Sequence, residues 1–160
     1  MRTPTTARSA VELDDVDRSI LAALQQDGRM SNQLLAERAG VAASTCLQRL
    51  RTLQTRGVIR RFTVELEQAA LGYQLQALVS IRITPNARAR LTAFADQLAS
   101  DPQVSQVFYL AGAADFIVHV RAGSTQDLSD FVTEHLSTNP IVASTNTSLI
   151  FDHRAGSNPL

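Results

Sequence analysis

Hydrophobic residues in the first third of the chain recur every three or four positions, in three successive segments. This spacing predicts three amphipathic helices. Asp14 and Ser31 are favourable N-cap residues for the first two, and Gly28, Gly40 and Gly57 supply the stops. The hydrophobic positions of the three helices are, in order, Val16, Ile20, Leu21 and Leu24; Leu34, Leu35 and Ala39; and Cys46, Leu47, Leu50 and Leu53, the last set being a predicted buried stripe.

The second and third helices are separated by a short turn that contains Gly40. Such a pair is typical of a helix-turn-helix, in which the later helix enters the major groove of DNA. Small three-helix units that do not bind DNA have the same caps and turns, so the spacing leaves both interpretations open. Residues 58–66, VIRRFTVEL, alternate enough to predict a strand that resembles a wing or the start of a connector.

Residues 75–84 alternate between hydrophobic and polar side chains, which predicts a strand. An amphipathic helix follows, and then VSQVFYLAG and DFIVHVRAG predict two strands joined through GAAD. Ser124 and Asp127 resemble a capping box for a second helix, and IVASTNTSLIF predicts a last strand. The positions predicted to face inward from the first strand and the two helices are Ala77, Val79, Ile81 and Ile83; Ala87, Leu91, Phe94, Ala95 and Leu98; and Leu128, Phe131, Val132, His135 and Leu136.

The order strand, helix, strand, strand, helix, strand is the ferredoxin-like βαββαβ plan, with both helices on one face of a four-stranded antiparallel sheet. The fold class predicted for the whole chain is therefore α+β, a winged-type helix-turn-helix domain followed by a ferredoxin-like domain. The other sheet face is predicted to carry Leu78, Val107, Tyr109 and Ile117. Because exposed apolar sheet faces favour a partner, we expect self-association.

The polar face of the third helix carries hydroxyls, an amide and arginines, and no acidic residue. A face that serves only solubility usually mixes both signs of charge. Hydroxyl, amide and guanidinium groups contact phosphate oxygens and read base edges, so this face favours DNA binding. The predicted DNA-binding residues are Ser44, Thr45, Gln48, Arg49, Arg51 and Arg56 on the helix, with Arg60 and Arg61 on the strand beyond Gly57, where they clamp the backbone or serve a hinge.

Charge is distributed unevenly along the 160 residues, although the formal net charge is zero. Up to Phe62 there are ten arginines and six acidic residues, whereas the remainder has five arginines and nine acidic residues. A basic first part suits a polyanionic partner. The single cysteine, the lack of a signal-like N-terminus and the lack of about 18 consecutive apolar residues predict a cytoplasmic protein that does not cross a membrane.

Residues 13–152 together resemble the Lrp/AsnC family of bacterial and archaeal regulators, also called feast/famine regulators. LDDVDRSILAALQQDGRMSNQLLAERAGV is similar to the opening of the family's sequences, and CLQRLRTLQTRGVIRRFTVELEQAALG to their recognition helix and hinge. LAGAADFIVHV resembles the segment that carries a Gly-x-x-Asp motif, here Gly112 and Asp115.

The resemblance implies a tail at 1–12, a DNA-binding domain at 13–62, a connecting strand or hinge at 63–74, an effector-binding and dimerisation domain at 75–153, and a tail at 154–160. It also implies double-stranded DNA as a partner, homodimers that assemble into tetramers or octamers, association with the nucleoid, and no cofactor beyond a small-molecule effector such as an amino acid. The implied effector site comprises Leu110, Ala111, Gly112, Ala113 and Asp115.

Three positions depart from the family pattern. Ala42 stands where relatives commonly have serine, so the third helix lacks its usual N-cap side chain unless Ser44 or Thr45 shifts its start. Ala113 and Ala114 stand where relatives often have polar or aromatic residues, which leaves fewer side chains to hold a ligand.

Other interpretations stay open from the residues alone. Gly112 and Asp115 also fit a tight hairpin in which Gly112 has a positive φ and Asp115 bonds the turn backbone. An enzyme acting in the hairpin cleft would need a general base near Asp115, and three scattered histidines with one cysteine have no metal-ligand spacing. A ligand-independent architectural protein that wraps DNA differs only in its indifference to small molecules.

Overall fold

The computed structural model describes residues 11–154 and Gly156. These residues divide into two compact units, with the boundary between Glu65 and Leu66. The boundary falls within the stretch 63–74 that was predicted to connect the domains. Most of the predicted tails, namely residues 1–10, 155 and 157–160, lie outside the described residues.

Three helices form the first unit: α1 (Asp15–Gln26), α2 (Asn32–Ala39) and α3 (Ala43–Thr55). Their ends follow from the predicted signals. The side chain of Asp14 accepts a hydrogen bond from the N–H of Asp17, and Ser31 accepts one from Leu34. Gly40 ends α2 with a left-handed φ of 67°. The helices enclose a small core of Ile20, Leu21, Ala23, Leu35, Ala36, Cys46 and Leu53.

Two predictions for this unit are wrong. Leu47 is 38% exposed, because it lies at the edge of the stripe that Cys46 and Leu53 define. Residues 58–66 form no strand. A strand needs a hydrogen-bonding neighbour, and the three helices of this unit offer none, so Phe62 and Val64 are left 49% and 72% exposed.

The second unit has the predicted ferredoxin-like order. Its strands are β1 (Leu75–Ile83), β2 (Val104–Tyr109), β3 (Phe116–Ala122) and β4 (Val142–Leu149), and its helices are α4 (Leu91–Ala99) and α5 (Thr125–Phe131). A 3₁₀ turn at Pro85–Arg90 precedes α4, and a π-helical segment at Val132–Ser137 extends α5. The antiparallel sheet has the order β2-β3-β1-β4, as the predicted plan requires.

The core of the second unit lies between the helices and one face of the sheet. Ala77, Val79 and Ile81 of β1 are fully buried there, as predicted. They are joined by Phe94, Leu98, Phe116, Val118, Val120, Leu128, Phe131 and Leu136. Val132 and His135 are only half-buried.

The other sheet face differs from the prediction in β2. The pairing with β3 shifts between Val104 and Gln106, so the alternation of the strand restarts after this irregularity. Val107 and Tyr109 therefore pair with Val118 and Phe116 on the helix side, where Val107 packs against the core. Phe108 takes the open side with Leu78, and these two side chains are 45% and 37% exposed.

Candidate DNA interface and effector site

The exposed side of α3 carries most of the residues that were predicted to contact DNA. Ser44, Thr45, Gln48, Arg51 and Arg56 are all exposed on it. The neighbouring hydroxyls of residues 52 and 55 donate to the backbone carbonyls of residues 48 and 51, at 3.0 and 2.9 Å. The helix thus presents hydroxyl, amide and guanidinium groups on one surface, which suits hydrogen bonds to phosphates and base edges.

Arg49 differs from the other arginines of α3 because it is already paired. Its Nη1 donates to Asp14 Oδ2 at 2.6 Å and to Asp17 Oδ1 at 2.9 Å. Hydrogen bonds from the Asp17 N–H and from Arg49 lower the pKa of Asp14, and bonds to both carboxylates raise the pKa of Arg49. The carboxylate of Asp17 is mostly buried. Arg49 therefore fastens α3 to the start of α1.

A cleft of about 940 Å³ lies beside this ion pair, between α3 and the chain that enters α1. Thr45 and Gln48 border it from α3, and Glu12 and Arg18 border it from the other side. Because it contains both signs of charge, the cleft gives no clear preference for a polyanion.

The N-terminus of α3 has no side-chain cap. The helix begins at Ala43 directly after Ala42, so neither Ser44 nor Thr45 moves its start. Ala42 nevertheless has the extended backbone of an N-cap residue, with φ −66° and ψ 147°. The first N–H groups of a helix attract anions when no side chain occupies them.

Arg60 and Arg61 follow α3 at a distance of a few residues and are exposed. They lie on a segment without regular structure rather than on the predicted strand. Within this chain they therefore do not lie on a strand, contrary to the prediction. Both guanidinium groups are nevertheless exposed.

The loop between β2 and β3 contains the second group of predicted site residues. Leu110, Ala111, Gly112 and Ala113 are exposed, and Asp115 is half-buried. Two clefts border Gly112 in this loop, one of about 400 Å³ towards Tyr109 and one of about 360 Å³ towards the end of β1. Both volumes are in the range of small-molecule sites.

Asp115 joins this loop to β1. Its N–H donates to the carbonyl of Ile81 at 2.9 Å, and its Oδ2 accepts the N–H of Ile83 at 2.8 Å. The N–H of Leu110 donates to the carbonyl of Asp115 at 2.9 Å and closes the loop. The alternative in which the side chain of Asp115 bonds the turn backbone is thus wrong, because its carboxylate accepts a hydrogen bond from β1 instead.

Gly112 does not have the positive φ which that alternative required. Among the described residues, only Gly40, Gly57 and Gly72 have a positive φ. A Cβ added at Gly112 would meet no atom within 4 Å. Neither its backbone conformation nor crowding by the part of the chain that the structure describes explains a glycine here.

Arg82, which sequence reasoning missed, also belongs to this site. It is exposed near the end of β1, and its Nε donates to the carbonyl of Ala113 at 2.6 Å. The signal in the sequence was an arginine at an open-face position of the first strand. In the ferredoxin-like topology the end of this strand lies beside the start of the third, which follows GAAD.

No cluster of three or more potential metal ligands occurs within residues 11–154 and Gly156. None of the helices that the structure describes is long and apolar enough to cross a membrane.

Comparison with known proteins agrees with this architecture. Residues 13–60 match a family model described as winged helix-turn-helix DNA-binding, and residues 76–159 match the Lrp/AsnC ligand binding domain. The chain belongs to the Lrp/AsnC family of transcriptional regulators. The HTH-type transcriptional regulator AldR of Mycolicibacterium smegmatis is 48% identical over 151 residues, which are 94% of this chain and 88% of that protein. The leucine-responsive regulatory protein of Rhizobium meliloti is 40% identical, with 87% of this chain and 89% of that protein covered.

Solved structures of Lrp/AsnC regulators have the same fold. The crystal structure of a transcriptional regulator of Neisseria meningitidis in complex with L-Met matches with a TM-score of 0.83 and 28% identity, over 93% of this chain and 96% of that one. The predicted family, fold class and function as a DNA-binding transcriptional regulator with a ligand-binding domain are therefore confirmed.

Proposed function

We propose that this Lrp/AsnC regulator recognises specific DNA sequences with the exposed face of α3 and changes its assembly or DNA affinity when an amino acid or related metabolite binds beside Gly112. The main support for effector binding at this loop is the presence of Gly112. Gly112 lies in an exposed loop between two clefts, yet nothing within residues 11–154 requires a residue without a side chain there. A glycine also permits close approach of another molecule to the backbone.

For DNA, we assign base reading to Ser44, Thr45 and Gln48 and phosphate binding to Arg51, Arg56, Arg60 and Arg61. The exposure of all seven side chains supports this division. The uncapped first turn of α3 adds backbone N–H groups that attract a phosphate. Arg49 is assigned to positioning, because its guanidinium holds two carboxylates of the same unit.

The assembly that we propose starts from a homodimer formed across the open sheet face. Leu78 and Phe108 expose apolar surface on this face, and a second copy would cover it. A dimer would place two α3 helices in successive major grooves, about 34 Å apart. Further assembly to tetramers or octamers would bring several such pairs onto one DNA, in the cytoplasm at the nucleoid.

We infer that the protein acts by binding and not by catalysis. Three relatives with 40–48% identity are named as transcriptional regulators or regulatory proteins. An enzyme acting in the hairpin cleft would need a general base near Asp115, and the carboxylate of Asp115 itself already accepts the N–H of Ile83.

Binding of a labelled operator fragment, measured by fluorescence anisotropy across salt concentrations, tests the DNA interface. Each phosphate contact contributes a log–log salt slope of about −0.9. Replacing Arg51 with Ala should weaken binding and reduce the slope by about this amount, whereas Arg90→Ala, an exposed arginine of the second unit, should change neither. An unchanged affinity and slope for Arg51→Ala combined with Arg56→Ala would show that α3 does not bind DNA with this face.

Titration of the DNA complex with the twenty L-amino acids tests the effector, with oligomer size followed by light scattering. We expect at least one amino acid to change DNA affinity or assembly. Complete indifference to all of them would instead favour a ligand-independent architectural protein.

A further inference from the structure

We propose that Arg82 is the residue that recognises the carboxylate of the effector, and that the cleft between Arg82 and Asp115 is built for an α-amino acid. The inference rests on the proposed function, because it assigns chemistry to the same effector site.

Arg82 is fixed beside the loop at several points. Its Nε donates to the carbonyl of Ala113 at 2.6 Å. On either side of it in β1, the carbonyl of Ile81 and the N–H of Ile83 are both bonded to Asp115. The loop and the arginine therefore keep a defined relative position, and a guanidinium that is positioned in advance loses less freedom when it binds.

The two Nη atoms of Arg82 remain available for a ligand. Neither makes a hydrogen bond or an ion pair within residues 11–154. By contrast, Arg154, another exposed arginine of this unit, pairs with Asp152. Arg82 borders the cleft of about 360 Å³ together with Gly112 and Asp115. A carboxylate in this cleft can accept two parallel N–H bonds from the fork of an arginine.

The carboxylate of Asp115 supplies the negative charge in this cleft, and we assign it to bind the amino group of the ligand. Oδ2 of Asp115 accepts the N–H of Ile83, and no protein group within the described residues bonds Oδ1. An ammonium group can donate to this second oxygen. Pro85 and Leu91 supply apolar surface in the same cleft for a side chain. A cation, a carboxylate and an apolar wall in one cleft match a zwitterion with a hydrocarbon side chain.

This assignment predicts discrimination between a carboxylate and its neutral amide. Hydrogen bonds to charged groups are stronger than neutral ones, so the loss of a charged bidentate pair should lower affinity about tenfold or more. In the native protein we expect the best-binding L-amino acid of the panel to exceed its α-carboxamide by that factor.

The test is isothermal titration calorimetry of the full chain with the best-binding amino acid and with its carboxamide. Arg82→Gln should reduce affinity for the amino acid about tenfold and abolish the preference over the carboxamide. Arg82→Lys, which retains the charge but not the fork, should keep part of the preference. Arg154→Gln removes one exposed arginine of the same unit and should leave both affinities unchanged.

The possible failures are distinguishable. If Arg82→Gln binds the amino acid with native affinity and native preference, the carboxylate is held elsewhere and the assignment of Arg82 is overturned, while the effector proposal stands. If the native protein binds no amino acid, the effector proposal fails and the assignment of Arg82 fails with it.

Discussion

The missing cap of α3 allows a sharp test of how this helix is stabilised. Ala42 has φ −66° and ψ 147°, and Ser31, the working cap of α2, has φ −65° and ψ 151°. In α2 the Oγ of Ser31 accepts the N–H of Leu34 at 3.3 Å. Because Ala42 is exposed and its backbone is almost the same, the serine of Ala42→Ser can accept the N–H of Thr45 without displacing a neighbour.

We expect Ala42→Ser to stabilise the first unit by about 1 kcal/mol, the usual difference between serine and alanine at an N-cap. For a unit of this size, that corresponds to a rise in melting temperature of about 4–8 °C. Ser31→Ala should lower stability by a similar amount. Ala43→Ser places the hydroxyl one residue inside the helix and serves as the control without a cap bond.

Thermal unfolding followed by circular dichroism at a helical wavelength measures the change. The two tyrosines, Tyr73 and Tyr109, both belong to the second unit, and the chain has no tryptophan. Tyrosine fluorescence therefore reports the second unit separately, and its transition should not move. A melting temperature of the first unit that stays constant or falls in Ala42→Ser would refute the reasoning from cap geometry.

The remaining predictions concern three other contacts. Arg49→Ala should destabilise the first unit in chemical denaturation, and it should do so less when Asp17→Ala has already removed one of its two carboxylate partners; additive effects would contradict the ion pair with Asp17. Gly112→Ala should leave the melting temperature unchanged but weaken the response to an amino acid, so an unchanged response would remove the argument from this glycine. Burial lowers the pKa of His119, with the nearby His153 and Arg121 acting in the same direction. The folded protein then binds fewer protons, so stability should fall as pH drops through the ordinary value of 6.5 towards the lowered pKa, and His119→Gln should flatten this pH dependence in urea titrations.

Local signals were sufficient to predict most elements. Asp14, Ser31 and Ser124 cap helices where their side chains can accept an N–H three residues ahead, and that bond needs no information beyond the neighbouring sequence. The sheet order followed from the ferredoxin-like plan, since the succession of strands and helices permits few compact arrangements.

The errors arose where distant residues decide the outcome. The irregular pairing after Val104 returns Val107 to the helix side, and a strict alternation cannot show it. The ion pairs of Arg49 were likewise not visible in the pattern of α3, because its partners lie 32 and 35 positions earlier, at the start of α1. Its contact with DNA stays a prediction. Arg82 is separated from Ala113 by 31 positions and is brought to the loop between β2 and β3 by strand pairing alone.

The attachment of the loop to β1 has a consequence for protein engineering. The bonds use backbone atoms of Ala113 and Asp115 and the side chains of Arg82 and Asp115, whereas the methyl groups of Ala111 and Ala113 are exposed. Positions 111 and 113 can therefore be randomised in a library without breaking the attachment. With the effector role proposed for this loop, a collection of such variants linked to a reporter gene offers a route to biosensors tuned to different metabolites on a single scaffold.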